Sequence, residues 1–154
     1  MTPPRRVNPW AAVAGFAFLL NFVWEMWQAP FYRTMIEASH LDAVRTCTLA
    51  TFGDAVIALL ALGAAAAVAR DSGWLARPSR KALAVYVGAG LVITLALEWL
   101  NVQVLHRFSY AARMPTVLGI GLTPLLQWLV LPPLVLWLAR RHLGVSPTAD
   151  SGAP

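Results

Sequence analysis

Four long apolar runs dominate the sequence, and each has about the length that crosses a lipid bilayer. A hydrocarbon core of about 30 Å takes about 20 consecutive apolar residues in an α-helix. Lipid offers backbone groups no hydrogen-bond partner, so a spanning segment has to be helical. The pattern predicts an all-α integral membrane protein, a four-transmembrane-helix bundle with helices at about 10–28, 49–69, 82–105 and 116–140.

The composition supports the same fold class and excludes a separate soluble domain. Hydrophobic residues make up 58% of the chain, charged residues only 12%, and the mean hydropathy is +0.61. We interpret residues 1–143 as one transmembrane domain. Residues 144–154 contain almost no core-forming side chains, which predicts a disordered cytoplasmic tail.

The basic residues indicate an orientation. The two tails and the loop between the second and third predicted helices share one side of the bundle, and they hold eight of the 12 Arg and Lys residues. The positive-inside rule then places both termini in the cytoplasm. We therefore expect a multi-pass protein of the cell membrane. The net charge of +5 is spread over loop ends, so it does not indicate nucleic-acid binding.

Three carboxylic acids, Glu25, Asp54 and Glu98, interrupt the apolar runs. An acid at the centre of a membrane helix costs about 2.5–3.5 kcal/mol on insertion scales, and such residues mark functional sites by default. Glu25 and Glu98 come late in outward-running helices, and Asp54 comes early in an inward-running one. All three are thus expected in the outer half of the membrane, and we predict that they are catalytic.

Each predicted helix carries its polar residues on one stripe. Residues three or four apart share a helix face, as Asn21, Glu25 and Gln28 do. Stripes facing lipid would be costly, so we expect them to face one another and form a pocket, while the inner half is nearly free of polar groups. The residues predicted to bind a substrate are Asn21, Gln28, Trp99, Asn101, Thr123, Gln127 and Trp128.

Aromatic and basic residues complete the predicted pocket. Trp99 and Trp128 each follow a stripe residue, so either can form a wall or stack on a cationic intermediate. Tyr32, His106 and Arg107 are predicted at the outer rim, where His106 can exchange protons near neutral pH. No His and acid share the spacing of a metal site on one helix, so we predict neither a metal nor a cofactor.

The acids favour an enzyme that moves protons on a lipid or isoprenoid substrate. In outline this arrangement resembles the small multi-helix sterol-isomerase type of membrane protein, which also places acids and aromatic residues in a bundle. That resemblance carries no residue role over to this chain. The single cysteine, Cys47, excludes disulfide exchange between paired thiols.

Two other functions stay open. Glu25 and Glu98 can alternately bind protons and a cation, which predicts a proton-coupled transporter of small molecules or cations. The stripes can also serve only to join helices, as in a membrane scaffold or assembly partner. The partners we expect are membrane lipid, a lipophilic small molecule and a second copy of the chain, with no nucleic acid.

Overall fold

A computed structural model describes residues 8–144, and most of them are helical. Four helices are long and apolar enough to cross a membrane, which confirms that part of the predicted fold class. They are α1 (Pro9–Gln28), α3 (His40–Ala69), α4 (Arg80–Trp99) and α5 (Leu122–His142), and a short helix, α2 (Arg33–Glu37), follows α1. Apart from Gly144, the predicted tail 144–154 lies outside the described residues.

Capping residues explain where three of the long helices begin. The Asn8 side chain accepts a hydrogen bond from the Trp10 N–H at 2.9 Å, and Pro9 takes the first helical position, where no N–H is needed. Ser39 and Ser79 cap α3 and α4 in the same way. The cap at Ser39 places the start of α3 at His40, nine residues before the predicted start at 49. The prediction missed these first turns because they contain polar residues and do not belong to the apolar run.

The last helix begins later than predicted. Residues 116–121 form a small hairpin in which β1 (Thr116–Val117) pairs with β2 (Ile120–Gly121), and α5 begins only at Leu122. Leu118 and Gly119 make the turn with positive φ angles of 52° and 80°. Pro124 then lies in the first turn of α5, where its missing N–H costs nothing, whereas a helix from 116 would have placed it in the interior.

The four long helices form a ring in which α1 and α4 each pack against both α3 and α5. Small residues permit the close approach, since Ala58, Ala61 and Ala65 of α3 are all buried. Gly90 of α4 lies against the Trp128 indole of α5, and a Cβ at this position would overlap the ring. These contacts fix how the polar stripes face the centre.

The segments that follow α1 and α4 meet at one end of the ring. Tyr32 and Tyr110 form an isolated antiparallel bridge. The Arg33 N–H donates to the Ser109 carbonyl at 2.8 Å, and the Ala111 N–H donates to the Phe31 carbonyl at 2.9 Å. We call residues 29–37 and 105–121 the end cap. It holds both tyrosine side chains over the interior of the bundle.

Candidate functional site

Two of the three acids meet at Gln127, which is buried at the centre of the bundle. The Gln127 amide nitrogen lies 2.9 Å from an Asp54 carboxyl oxygen and 3.3 Å from a Glu25 carboxyl oxygen. Residues from α1, α3 and α5 thus build one polar cluster.

Amide side chains on α1 hold this cluster in place. The Asn21 amide nitrogen donates to the Ala17 carbonyl at 2.7 Å, which turns the Asn21 oxygen toward Gln127, also at 2.7 Å. One turn beyond Glu25, the Gln28 amide donates to the Glu25 carboxyl at 2.6 Å. The stripe Asn21, Glu25, Gln28 therefore acts as one connected unit.

The third acid, Glu98, is held by the end cap. The hydroxyl groups of Tyr32 and Tyr110 both donate to the same Glu98 oxygen at 2.8 Å. The Gly121 N–H donates in turn to the Tyr110 oxygen at 2.8 Å. Burial raises the pKa of both tyrosines above the ordinary value of 10.0, and the nearby Glu98 carboxylate raises it further. Both phenols therefore keep their protons at neutral pH.

All three carboxylic acids face one cavity of about 480 Å³. Leu49 and Gly53 of α3 and Leu97 of α4 line this cavity and are themselves exposed on the outside of the bundle. The cavity therefore opens sideways between α3 and α4. We call this opening the side portal.

The hydrogen bonds described above hold one oxygen of each carboxyl group. Gln127 and Gln28 donate to the same Glu25 oxygen, Gln127 also donates to one Asp54 oxygen, and both tyrosines donate to one Glu98 oxygen. None of the three acids forms a salt bridge with any described residue. Of the cations, Arg107 lines the cavity.

The structure brings most of the predicted site residues together. The cavity is lined by Glu25, Asp54, Glu98, Gln28, Asn101, Gln127, Tyr32 and Arg107. Asn21 and Trp128 line a second, smaller cavity next to it. Thr123 is buried, with its hydroxyl 3.6 Å from the Met114 sulfur, and it lines neither.

Two predicted residues lie away from the cavity. The Trp99 side chain is 54% exposed, because a residue next to Glu98 on a helix points about 100° away from it. His106 is exposed, and its ring Nδ1 lies 3.1 Å from the Val102 carbonyl. Neither residue lines the cavity.

Sequence reasoning missed Tyr110, which donates to Glu98. It lies in the end cap rather than on a helical stripe, so helical spacing gave no signal for it. Its position depends on the bridge to Tyr32, which is 78 residues earlier in the chain and which only the folded structure reveals.

Residues 8–144 contain no group of three or more His, Cys, Asp or Glu side chains arranged to hold a metal ion. Comparison with protein-family models, with curated proteins and with solved structures gave no match. The function therefore has to be argued from the cavity and its residues.

Proposed function

We propose that this chain is an integral membrane protein whose cavity takes a lipophilic substrate and transfers protons to and from it. The observation that carries the proposal is the convergence of carboxyl groups from three helices on one cavity with a side portal. A scaffold protein would need no cavity, and a scaffold role would not explain three carboxylic acids that form no salt bridge with a described residue.

Charge distribution supports an orientation with both termini in the cytoplasm. Within the described residues, the end of the bundle opposite the end cap carries six basic residues and the end-cap side carries four. By the positive-inside rule the end cap then faces outward. The acid cavity lies near the end cap, in the outer half of the proposed membrane span.

The side portal supports a substrate that arrives through the lipid. Leu49 on α3 and Leu97 on α4 line the cavity and are exposed, and they would face acyl chains. A cavity of 480 Å³ lies within the usual range of small-molecule sites, about 300–1,000 Å³. An apolar molecule can therefore enter without crossing water.

The chemistry that fits best is proton transfer at a double bond. One acid of the Glu25–Asp54 pair gives its proton to one alkene carbon, and a carboxylate of the site removes a proton from the carbon next to the cationic centre. The double bond moves, the total number of protons is unchanged, and no electrons are exchanged with a further reactant. Gln127 keeps both acids of the pair in position.

The proposal is tested by replacing each acid with its amide. Wild-type protein and the variants Glu25→Gln, Asp54→Asn and Glu98→Gln are purified in detergent, and the small molecules that copurify are identified by mass spectrometry and incubated with each protein. Glu37→Gln is the matched control, because Glu37 is exposed on α2. We expect conversion to be lost in the site variants and kept in the control.

Unchanged binding and conversion in all three site variants would overturn the proposal. Proton flux into sealed liposomes that depends on Glu25 and Glu98, without chemical change of any bound molecule, would instead establish transport. Both measurements use the same five proteins.

A further inference from the structure

A second cavity lies just inward of the acid cluster, on the axis of the bundle, and all four long helices contribute to it. Its volume is about 10 Å³. A cavity needs about 10–15 Å³ to hold one water molecule. The space therefore suits one water and nothing larger.

Tyr86 of α4 lines this cavity and is completely buried. Its hydroxyl has no hydrogen-bond partner among residues 8–144. A buried hydroxyl without a partner costs free energy, and native proteins rarely leave one unpaired. Tyr86 thus supplies a donor and an acceptor that need a ligand.

Pro132 supplies a second group. In an α-helix the N–H of residue 132 would donate to the carbonyl of Trp128, but proline has no N–H. The Trp128 carbonyl therefore loses its usual donor, and both residues line the cavity. Asn21 and Gln127, which belong to the acid cluster, form part of the same wall.

We infer that this cavity binds one water molecule between the Tyr86 hydroxyl and the Trp128 carbonyl. Buried waters make two to four hydrogen bonds to groups that are otherwise unsatisfied, and this cavity offers that number. The water lies next to the polar network of Gln127 and Asn21, which line the same cavity. This site does not depend on the proposed function.

Removal of the Tyr86 hydroxyl gives results of opposite sign for a wet and a dry cavity. If a water is bound, Tyr86→Phe removes a satisfied hydrogen bond, and we expect the ratio of folded to unfolded protein to fall about five-fold in a denaturant titration. If the cavity is dry, the same change removes an unpaired hydroxyl, and the ratio stays constant or rises. Tyr32→Phe, which loses a bond to Glu98, calibrates the cost of one hydrogen bond.

A double-mutant cycle provides a second test of the water site. Val135 is buried and lines the cavity, so Val135→Ile fills the space that the water needs. In that background we expect Tyr86→Phe to cost nothing, because the water is already displaced. An equal effect of Tyr86→Phe in both backgrounds would overturn the inference, as would a high-resolution structure without an ordered water beside Tyr86.

Discussion

Gln127 is the residue on which the acid cluster depends, and its replacement by leucine tests that role. Its amide nitrogen lies within hydrogen-bonding distance of three side chains on two other helices, and its own side chain is only 2% exposed. Leucine has a similar volume and helix propensity but no amide. Gln127→Leu therefore removes these hydrogen bonds while leaving the packing nearly unchanged.

The expected loss of stability follows from the number and kind of these bonds. The amide nitrogen has two N–H groups, so at most two of the three contacts are full hydrogen bonds, and at the average of about 0.6 kcal/mol between membrane helices they give about 1 kcal/mol. Two of the three acceptors are carboxyl groups, and bonds to charged groups reach about 1.5–3 kcal/mol each. We expect Gln127→Leu to lower the free energy of unfolding by about 1–3 kcal/mol on these two scales.

The measurement is an SDS titration of the purified protein in mixed micelles, with helicity as the signal. Gln103→Leu is the control, because Gln103 is exposed and makes a single bond, 3.0 Å long, to the Gly119 carbonyl. That variant should lose no more than about 0.5 kcal/mol, as is usual for surface changes. An effect of Gln127→Leu no larger than that of the control would refute the role of Gln127 as the centre of the cluster.

Two further predictions concern packing and pH. Gly90→Ala should destabilise the protein by about 1–3 kcal/mol in the same titration, because its methyl group meets the Trp128 indole; Gly88→Ala, with open space around it, should be neutral or slightly stabilising, and equal effects would contradict the contact. The raised pKa values of Tyr32 and Tyr110 mean that the folded state holds these protons more tightly, so stability should fall as the pH rises above 10. The double variant Tyr32→Phe/Tyr110→Phe should show a shallower fall, and an unchanged slope would argue against the effect.

Helical spacing predicted the interior of the site well. Glu25, Gln28 and Asp54 reach the cavity because residues three or four apart on a helix face the same way, and burial of a polar stripe leaves them only the centre of the bundle. The same rule explains why Trp99 lies away from the cavity, since the residue next to Glu98 has to point elsewhere.

The features of the site that the sequence could not predict depend on contacts between segments far apart in the chain. Tyr110 reaches Glu98 only because the end cap joins two distant segments. The hairpin at residues 116–121 was hidden because its apolar side chains continue the run that leads into α5. The inner half of the bundle was expected to be apolar, but the Tyr86 hydroxyl lies there beside a cavity. A single tyrosine within an apolar run gives no sign of this position in the sequence.

The central claim is that Glu25, Asp54 and Glu98 share a cavity that is reached from lipid through the side portal. A lipid-soluble carbodiimide, which modifies carboxylic acids from within the bilayer, tests it directly when the labelled peptides are identified by mass spectrometry. Gly53 lines the portal with open space around its Cα, so Gly53→Trp should block it, whereas Gly15→Trp adds the same bulk on exposed α1.

We predict that the reagent labels these acids in the wild-type protein and in Gly15→Trp, and that Gly53→Trp loses most of the labelling. Equal labelling of the two tryptophan variants, or no labelling of any of the three acids, would contradict the account.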